Sequence, residues 1–494
     1  MISENTKYLK KMEEARSLLS SKAIGQAEAA FEAATRYTDA PFDALFNAGL
    51  AAFQIGASGR ALERFDACVK LRPHHTSALN NRGTCLQICG RDLEAIADFD
   101  AALAKSPGYA DCWYNRGISL FNLEAYEEAA ESYDQALRHG AAAAKIFNNK
   151  GRALHALGRI DEAIGCYRHA LELDSGYPRA HLNLAVSQLT KGNFRDGFLE
   201  FEWRKVQPEM AAGARTYPAP LWTGKEDLSG KSVLVHWEQG FGDTIQFCRY
   251  LGLLENRGAK VEFAPQKPLR DLLSSLKVKA SMDALDGGNV SIHYHIPLLS
   301  LPLAFGTSLD TIPANTPYLA AEPQRVENWR KKLGDRGFKI GICWQGNKAG
   351  DVDRGRSFPL KQFEPLSKIP GVRLISLQKG DGEEQLRDLP DGMEVESLGP
   401  DFDTDGAFLD TAAVMECVDL VITSDTAIAH LAGALARPVW IALKSVPDWR
   451  WMLERNDSPW YPTARLFRQK TRGDWDGVFQ DIKFALQKKL AQEN

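Results

Sequence analysis

No stretch of eighteen consecutive apolar residues occurs in the sequence, so no membrane-spanning helix is predicted. The first eight residues, Met1-Ile-Ser-Glu-Asn-Thr-Lys-Tyr8, lack the apolar core of a secretory signal, and we therefore expect a cytoplasmic protein. A formal net charge of −4 over 494 residues gives no electrostatic reason to expect nucleic acid as a partner. The eight cysteines show no metal-ligand spacing.

What the sequence does contain is an internal repeat of 34 residues. A small residue recurs at this interval, and an aromatic residue follows each small residue after sixteen positions. The spacing resembles the tetratricopeptide repeat, a helix-turn-helix unit in which the small residue lets the two helices approach closely. Six units fill a predicted first domain, residues 1–205, as an α-solenoid whose concave face is built by the first helices. The small residues are Ala15, Gly49, Gly83, Gly117, Gly151 and Ala185, and the aromatic residues are Phe31, Phe65, Phe99, Tyr133, Tyr167 and Phe201.

An asparagine stands two positions before most of these small residues, and the five side chains are predicted to form a ladder along the concave face. An amide offers a donor and an acceptor together, which matches the N–H and C=O groups of an extended peptide. We therefore expect the ladder to bind an acceptor polypeptide, although asparagine at this position also suits bonding between neighbouring helices. Arg82 and Arg116 are expected at solvated edges of the same groove. The ladder consists of Asn47, Asn81, Asn115, Asn149 and Asn183.

Prolines and glycine interrupt the helical pattern in a predicted connecting segment, residues 206–230. Within that segment, Leu221 and Trp222 are apolar and indicate chain that packs against a neighbour.

Alternating strand and helix patterns restart at Ser232 and predict two doubly wound, Rossmann-like halves, residues 231–325 and 326–494. The GT-B fold of many glycosyltransferases consists of two such halves facing a cleft, although periodicity alone also allows other paired α/β folds. The predicted strands are 232–236, 260–264 and 291–296 in the first half, and 339–344, 372–377, 393–398, 419–423 and 438–443 in the second.

The first predicted strand runs into a glycine-rich turn, Gln239-Gly-Phe-Gly-Asp243, and a helix is predicted from Thr244 onward. Parallel sheets place their ligands at the carboxyl ends of strands, in turns of this kind. The turn carries one acid, Asp243, beside backbone amides that the glycines leave uncrowded.

Longer motifs distinguish among the paired folds. The stretch Glu238-Gln-Gly-Phe-Gly-Asp-Thr-Ile-Gln-Phe247 resembles the first-domain motif of bacterial glycosyltransferases fused to tetratricopeptide repeats. The stretch Ser424-Asp-Thr-Ala-Ile-Ala-His-Leu-Ala-Gly433 resembles the donor motif of heptosyltransferases. Similar proteins include flagellin glycosyltransferases, whose repeats bind flagellin while the second module transfers a nonulosonic acid, and more distantly the protein O-GlcNAc transferases. Further stretches like that group are Gly341-Ile-Cys-Trp-Gln-Gly346, Arg354-Gly-Arg-Ser-Phe-Pro-Leu360, Val446-Pro-Asp-Trp-Arg-Trp451 and Ser458-Pro-Trp-Tyr-Pro462.

The resemblance implies that Asp243 is the base for the incoming hydroxyl. A carboxylate with an ordinary pKa of ~3.9 is a weak base for that proton unless partial desolvation raises its pKa. The alternative is that Asp243 caps the helix predicted from Thr244 or only orients the acceptor.

The second half is expected to bind the nucleotide-sugar donor. The turn Asp425-Thr426-Ala427 follows a strand and opens a helix, so free N–H groups and the helix dipole favour a phosphate there. His430 lies on the same face as Thr426 and can donate to a phosphate oxygen. By resemblance, Arg356 and Ser357 neutralise the donor phosphate, with loop charges as the alternative for Arg356. Capping or ribose contact is expected of Asp425, and weaker donor contacts are expected of Gln345 and Gln378.

The sequence therefore predicts an inverting protein O-glycosyltransferase that transfers a sugar to Ser or Thr of a protein acceptor held by the repeats. The specific hypothesis is flagellin with a nonulosonic acid such as pseudaminic acid. The alternatives are an O-GlcNAc-transferase-like enzyme using UDP-GlcNAc, an enzyme acting on a polysaccharide or lipid, and an inactive repeat scaffold. No cofactor is expected besides the nucleotide-sugar co-substrate. No metal is expected either, because the Asp-x-Asp letters at Asp401 and Asp403 stand in the wrong half.

Overall fold

The computed structural model describes residues 3–140, 143–207, 217–282, 291–348 and 353–493. The chain divides into two compact units, residues 1–184 and 185–494. The division lies inside the last predicted repeat, earlier than the predicted domain end at residue 205. Of the predicted connecting segment 206–230, residues 208–216 lie outside the described part.

Helices arranged in pairs build the repeat array, as the 34-residue period predicts. In the described ranges 3–140 and 143–207 there are six such pairs, numbered α1 to α12 in chain order. Their bounds are α1 Glu4–Ser20, α2 Ile24–Ala34, α3 Phe42–Gln54, α4 Ser58–Leu71, α5 Thr76–Ile88, α6 Asp92–Lys105, α7 Ala110–Asn122, α8 Tyr126–Arg138, α9 Ala144–Ala156, α10 Ile160–Leu173, α11 Pro178–Thr190 and α12 Phe194–Phe201.

The repeating glycines lie directly against the repeating aromatic rings. A Cβ atom built on Gly117 would lie 2.6 Å from Cε1 of Tyr133, and one on Gly83 would lie 2.7 Å from Cε1 of Phe99. Such distances are shorter than any real carbon contact, so only glycine lets the two helices of a unit come this close. This confirms the predicted reason for the 34-residue spacing.

Ion pairs follow the same period, and they correct the expectation for Arg82 and Arg116. Both arginines are paired instead of solvated: Arg82 forms two bonds to Asp98, at 2.7 and 2.5 Å, and Arg116 bonds Asp100 at 2.6 Å. In three successive units, a cation on the first helix meets the aspartate sixteen residues before it. These pairs are Arg82–Asp66, Arg116–Asp100 and Lys150–Asp134.

The second unit holds two separate parallel sheets, as predicted for the two halves. The first has the strand order β3-β2-β1-β4. Its central pairing aligns Val233 of β1 with Val261 of β2. Trp222 packs as predicted: it is buried, and its backbone N–H donates to the carbonyl of His295 on β4. The strands are β1 Ser232–His236, β2 Lys260–Ala264, β3 Ala280–Ser281 and β4 Tyr294–Pro297.

The second sheet has the order β6-β5-β7-β8-β9. Strand β9 has no counterpart among the predictions, and the strand predicted over 393–398 is wrong. That segment forms an isolated bridge between Glu396 and Ile375 at the sheet edge, and glycines with positive φ, Gly392 and Gly399, lie at its two ends. The strands are β5 Phe338–Cys343, β6 Val372–Ser376, β7 Leu420–Thr423, β8 Val439–Leu443 and β9 Ala464–Arg468.

Short helices connect the strands of both sheets, and a longer helix ends the chain. The core of the second half lies between its sheet and this terminal helix, where Phe358, Phe363 and Phe479 pack together. The helices are α13 Phe241–Phe247, α14 Leu251–Asn256, α15 Arg270–Leu273, α16 Leu301–Ala304, α17 Pro323–Leu333, α18 Glu364–Ser367, α19 Leu409–Met415, α20 Ala427–Ala434 and α21 Trp475–Glu493.

Candidate active site

The glycine-rich turn after β1 leads into a helix earlier than predicted. Helix α13 begins at Phe241 instead of Thr244, so Asp243 lies in its first turn. The Oδ2 atom of Asp243 accepts a hydrogen bond from the N–H of Gly240 at 2.9 Å. Asp243 therefore satisfies a backbone donor at the helix start from the third helical position, with Gly240 as the N-cap residue, whereas the predicted alternative had Asp243 capping a helix from Thr244. Gln239, just before, holds a positive φ of 59°.

Arg450 of the second half contacts the same carboxylate. It lies in a short 3-10 turn, Trp449–Trp451, and its Nη2 atom donates to Oδ1 of Asp243 at 2.5 Å. Its Nε atom donates to Oε1 of Gln246, also on α13, at 2.5 Å, and its Nη1 atom donates to Asp448 at 2.9 Å. Sequence inspection did not single out Arg450.

Burial and nearby charges act on Asp243 in opposite directions. Burial raises the pKa of Asp243 above its ordinary value, while the Arg450 guanidinium and the Gly240 N–H lower it. Asp448 and Glu238 raise the pKa further through like-charge repulsion. The net direction is upward, which makes this carboxylate a stronger base than an exposed aspartate.

Helix α20 carries the predicted donor residues on the other side. Thr426 is its N-cap residue, and His430 is buried one turn further along. The His430 ring stacks on Trp451, with ring centroids 5.5 Å apart, and its Nδ1 atom lies 3.0 Å from the hydroxyl of Tyr461. Burial, followed by the nearby arginines, holds the pKa of His430 well below its ordinary value, so the imidazole is neutral at pH 7.

The helices α13 and α20 meet at Gly242. A Cβ atom built on Gly242 would lie 3.0 Å from Cδ2 of His430, 3.7 Å from its Nε2 atom and 3.5 Å from Cα of Ala427. The turn that carries Asp243 is therefore in contact with the helix that carries Thr426 and His430. Both sets of predicted residues lie within one region of the second unit.

Arg356 and Ser357 belong to a loop that lies against the end of β5. The Arg356 guanidinium lies across Gly346, where a Cβ atom would be 2.1 Å from Nη2. Ser357 accepts from the N–H of Gly346 at 3.1 Å and donates to Asp353. Both side chains therefore hold the loop in place, and their contacts with a donor remain predictions.

Lys444 is a further cation of this region, and it directly follows β8. Its Nζ atom donates to the carbonyl of Arg354 at 3.0 Å. Burial lowers the pKa of Lys444, while Asp425 and Asp448 oppose that shift. Burial and the nearby Asp448 raise the pKa of Asp425 in turn. A lysine immediately after a fully apolar strand is the signal in the sequence that could have identified Lys444.

Both predicted glutamine side chains have hydrogen-bond partners within the second half. Gln378 accepts from the N–H groups of Trp344 and Gln345, at 3.1 and 3.0 Å, and donates to the carbonyls of Gln345 and Asp381, at 2.9 and 2.7 Å. Its amide is thus fully used in joining two loops. The Oε1 atom of Gln345 accepts from Gln385 at 3.2 Å. Donor contacts of both glutamines stay predictions.

Three side chains of the asparagine ladder bond to the neighbouring repeat, whereas Asn47 donates to the carbonyl of Asp43 in its own helix at 2.7 Å. Asn115 donates to Asn80 at 3.0 Å, and Asn183 donates to Asn148 at 2.8 Å. Asn149 donates to Tyr114 at 3.2 Å. Asn81 and Asn115 also line a cavity of about 360 Å³ in the first unit, together with Phe53, Tyr109 and Tyr114. Bonding between helices, the alternative weighed above, is therefore present, and peptide contact stays a prediction.

Glu238, just before the turn that carries Asp243, forms an ion pair with Arg204. Arg204 lies in the short 3-10 turn Glu202–Val206 that follows α12. The Arg204 side chain is 1% exposed, and it donates to Glu238 at 2.8 Å and to Glu202 at 2.8 Å. It also donates to Ser300 at 2.7 Å. The rings of Phe194 and Phe198 on α12 pack against Trp449, with centroids 6.2 and 5.7 Å away.

Asp403 has a structural role in the second half. It accepts from the N–H groups of Asp410 and Thr411, at 2.7 and 3.1 Å, at the start of α19. In the described part of the chain, no three His, Cys, Asp or Glu side chains come together as metal ligands. Among the same residues, no helix has the length and apolar character needed to cross a membrane.

Comparisons with known proteins agree with this architecture. Residues 366–443 match the glycosyltransferase family 9 (heptosyltransferase) profile. Residues 12–110, 110–139 and 151–192 match tetratricopeptide repeat profiles. The chain therefore joins a tetratricopeptide-repeat array to two parallel-sheet halves, and part of the second half is similar to glycosyltransferase family 9.

Among curated proteins, the chain is 28% identical to Protein FlbA of Caulobacter vibrioides over 326 residues, which is 61% of this chain. It spans 54% of that relative's length. Among solved structures, MamA from Desulfovibrio magneticus RS-1 is similar over 34% of this chain and 96% of its own, at 22% identity and a TM-score of 0.32. A tetratricopeptide repeat protein from Parabacteroides merdae covers 42% of this chain and 80% of its own, at 16% identity and a TM-score of 0.36.

Proposed function

We propose that the protein is an inverting O-glycosyltransferase that transfers a sugar from a nucleotide donor to Ser or Thr of a protein acceptor. One observation carries the proposal: the turn bearing Asp243 contacts, through Gly242, the helix that has Thr426 as its N-cap residue and bears His430. A carboxylate for the acceptor hydroxyl and a helix N-terminus for the donor phosphate thus adjoin.

In the proposed reaction, the acceptor hydroxyl oxygen forms a bond to the anomeric carbon while the bond from that carbon to the donor phosphate oxygen breaks. The hydroxyl proton passes to Asp243, whose raised pKa favours its uptake. The negative charge on the departing phosphate is stabilised by the N-terminal N–H groups of α20 and by His430. The proposal assigns the hydrogen of the neutral His430 ring to Nε2, which lies 3.7 Å from the Cβ position of Gly242, and lets Nδ1 accept from the Tyr461 hydroxyl 3.0 Å away.

The acceptor proposed is flagellin, bound along the asparagine ladder of the repeats, and the sugar is a nonulosonic acid. The family resemblance supports this choice. A nucleoside diphosphate sugar such as UDP-GlcNAc is the second candidate donor. It is favoured because two cations, Lys444 and Arg356, lie in one region: Lys444 donates to a carbonyl of the loop that carries Arg356.

The test has two stages. Thermal-shift measurements with CMP, UDP, ADP and GDP identify the nucleotide, because a ligand that binds the native state raises its stability by RT ln(1 + [L]/Kd). Purified flagellin is then incubated with the protein and either CMP-pseudaminic acid or UDP-GlcNAc, and the mass of intact flagellin is measured. We expect a sugar increment on Ser or Thr with the wild type and none with Asp243→Asn.

Transfer by Asp243→Asn at the wild-type rate would remove Asp243 as the base. Failure to bind any of the four nucleotides would instead favour an inactive scaffold. Nucleotide binding with transfer to a polysaccharide but not to a protein would favour an enzyme that acts on a polysaccharide.

A further inference from the structure

Arg450 joins the two halves of the second unit through its side chain. It is 8% exposed, and its three nitrogen atoms donate to three different residues. Two of these residues, Asp243 and Gln246, lie on α13 of the first half, and the third, Asp448, lies on its own turn. One guanidinium therefore couples the acceptor-side carboxylate to the donor half.

Packing fixes the orientation of this guanidinium. It lies over the rings of Trp449 and Phe247, with its central carbon 4.5 and 5.6 Å from the two centroids. Asp448 accepts both from Nη1 and from the backbone N–H of Arg450, at 2.9 and 3.0 Å. A planar fork held in this way presents fixed donor directions, which the flexible ammonium of a lysine does not.

We propose that Arg450 is a positioning residue for the transfer reaction, which holds the Asp243 carboxylate toward the donor half and keeps it ionised until the acceptor hydroxyl arrives. The proposal rests on the proposed function, in which Asp243 receives the hydroxyl proton.

The charged and titratable groups around Asp243 come from three elements. Arg450 and Asp448 act on it from the 3-10 turn and Glu238 from its own segment, while the neutral His430 of α20 lies against the neighbouring Gly242. Of these described groups, Arg450 is the one that opposes the upward pKa shift with a positive charge. Removal of the cation therefore leaves burial and two like charges opposed by the Gly240 N–H alone, and the pKa of Asp243 rises further.

The experiment follows the Asp243 carboxyl directly by ¹³C NMR on the full chain labelled with [4-¹³C]aspartate. The Asp243 signal is assigned by its absence in Asp243→Asn. We expect Arg450→Gln to move the titration midpoint of this signal upward by ~1 pH unit or more, because an opposite charge within ~4–6 Å lowers a carboxyl pKa by ~1–3 units. Arg455→Gln is the matched control, since Arg455 pairs with the exposed Asp457 in the same half.

Activity provides the second readout, with flagellin and CMP-pseudaminic acid or UDP-GlcNAc as probes. The base works only when it is ionised, so activity falls as the pH drops through the pKa of Asp243. Arg450→Gln should move this fall in activity, the acidic limb of the pH profile, to higher pH. Arg450→Lys retains the charge but not the fork, so we expect an unmoved limb with kcat at least tenfold lower and KM unchanged.

An unmoved Asp243 midpoint in a folded Arg450→Gln variant overturns the inference. If that variant does not fold, wild-type kcat in Arg450→Lys overturns it equally. The two proposals can fail separately. If Asp243→Asn is active, Asp243 is not the base and the proposed function loses that step. If Asp243→Asn is inactive but Arg450→Gln leaves the Asp243 titration midpoint unmoved, only the positioning role of Arg450 is rejected.

Discussion

The ring of His430 lies against the backbone of Gly242, so that a methyl group built on Gly242 would be 3.0 Å from Cδ2 of His430. The two residues come from different halves of the second unit. At this point the imidazole on α20 lies against the first turn of α13. The small size of Gly242 therefore sets how closely the two halves approach.

Replacement of Gly242 by alanine should push α13 away from α20. Overpacking of this kind costs ~1–3 kcal/mol, so we expect a folded protein with a reduced Tm and little transfer activity. Differential scanning calorimetry and the flagellin mass assay measure the two effects. Gly252→Ala is the control, because a Cβ atom there would lie 3.7 Å from Val278, an ordinary contact. Full activity in Gly242→Ala would show that the close approach is dispensable.

Tyr461→Phe should weaken nucleotide binding without unfolding the protein. The hydroxyl of Tyr461 lies 3.0 Å from Nδ1 of His430, and its loss leaves the tautomer of the ring unfixed. A hydrogen bond of this kind is worth ~1 kcal/mol, so we expect a Kd several-fold higher by calorimetry. Tyr250→Phe is a matched control, because it removes an equally buried hydroxyl bonded to Thr307 instead. Equal loss of affinity in both variants would point to a general effect of packing.

The repeat glycines should divide into two classes when replaced by alanine. Gly117→Ala places a Cβ atom 2.6 Å from the Tyr133 ring and should destabilise the array by ~1–3 kcal/mol. Gly165, inside α10, has no heavy atom within 4 Å of its Cβ position, so Gly165→Ala should stabilise by ~0.5–1 kcal/mol through helix propensity. Urea unfolding followed by circular dichroism measures both. Equal changes at the two sites would contradict the packing argument.

Removal of one carboxylate should distinguish the buried ion pairs from the exposed ones. Asp98 is buried and accepts two bonds from Arg82, so Asp98→Asn should destabilise the repeats by ~1–3 kcal/mol. Glu94 pairs with Arg91, but both side chains are about half exposed, and Glu94→Gln should leave the urea midpoint unchanged. The loss in Asp98→Asn should also persist at high salt, because buried pairs are little screened.

Asp425 should make stability depend on pH. Its folded pKa is raised above the ordinary value of 3.8, chiefly by burial, so the protonated form is favoured in the fold. The stability of the fold that depends on protonated Asp425 is complete below pH 3.8 and is lost as the pH rises through the pKa of Asp425 in the folded protein. Asp425→Asn mimics the protonated form and should therefore melt above the wild type at pH 7.5, by a margin that narrows toward pH 5.

The matched control for Asp425 is Asp457→Asn, since the pKa of Asp457 is lowered by Arg455. Its removal should give no gain in Tm at pH 7.5. A margin for Asp425→Asn that stays constant across the pH range would show that ionisation is not the cause.

Much of the fold could be predicted because its determinants are local in the sequence. A small residue is followed by an aromatic residue sixteen positions later in every unit, as Gly117 is by Tyr133. This interval alone predicts the close helix pair. Strand β9 was missed because its sequence, Ala-Arg-Leu-Phe-Arg, has arginines where a buried strand would be apolar. Its Arg465 and Arg468 are accommodated at the sheet edge, where Arg468 donates to the carbonyl of Met452.

The site was predictable only where a motif lies in one stretch of chain. Asp243 and His430 stand in such motifs, and the fold brings their helices together. Arg450 also stands in such a stretch, Val446–Trp451, but its role could not be predicted, because its partner Asp243 lies 207 positions earlier in the chain. The ion pairs of Arg82 and Arg116 were missed although their aspartates recur at a regular interval in the sequence. We expected charged residues at the edge of a groove to be solvated instead of paired.

The buried Arg204 has a consequence for protein engineering. A fragment that starts at the predicted boundary, residue 206, would lack Arg204 together with Phe194 and Phe198, and would leave Glu238 without its guanidinium partner. A fragment of the second unit should therefore start near Ala185, where the chain divides. Chimaeras that exchange one repeat array for another should likewise be joined within α11, so that Phe194–Phe201 and Arg204 are inherited with the second unit.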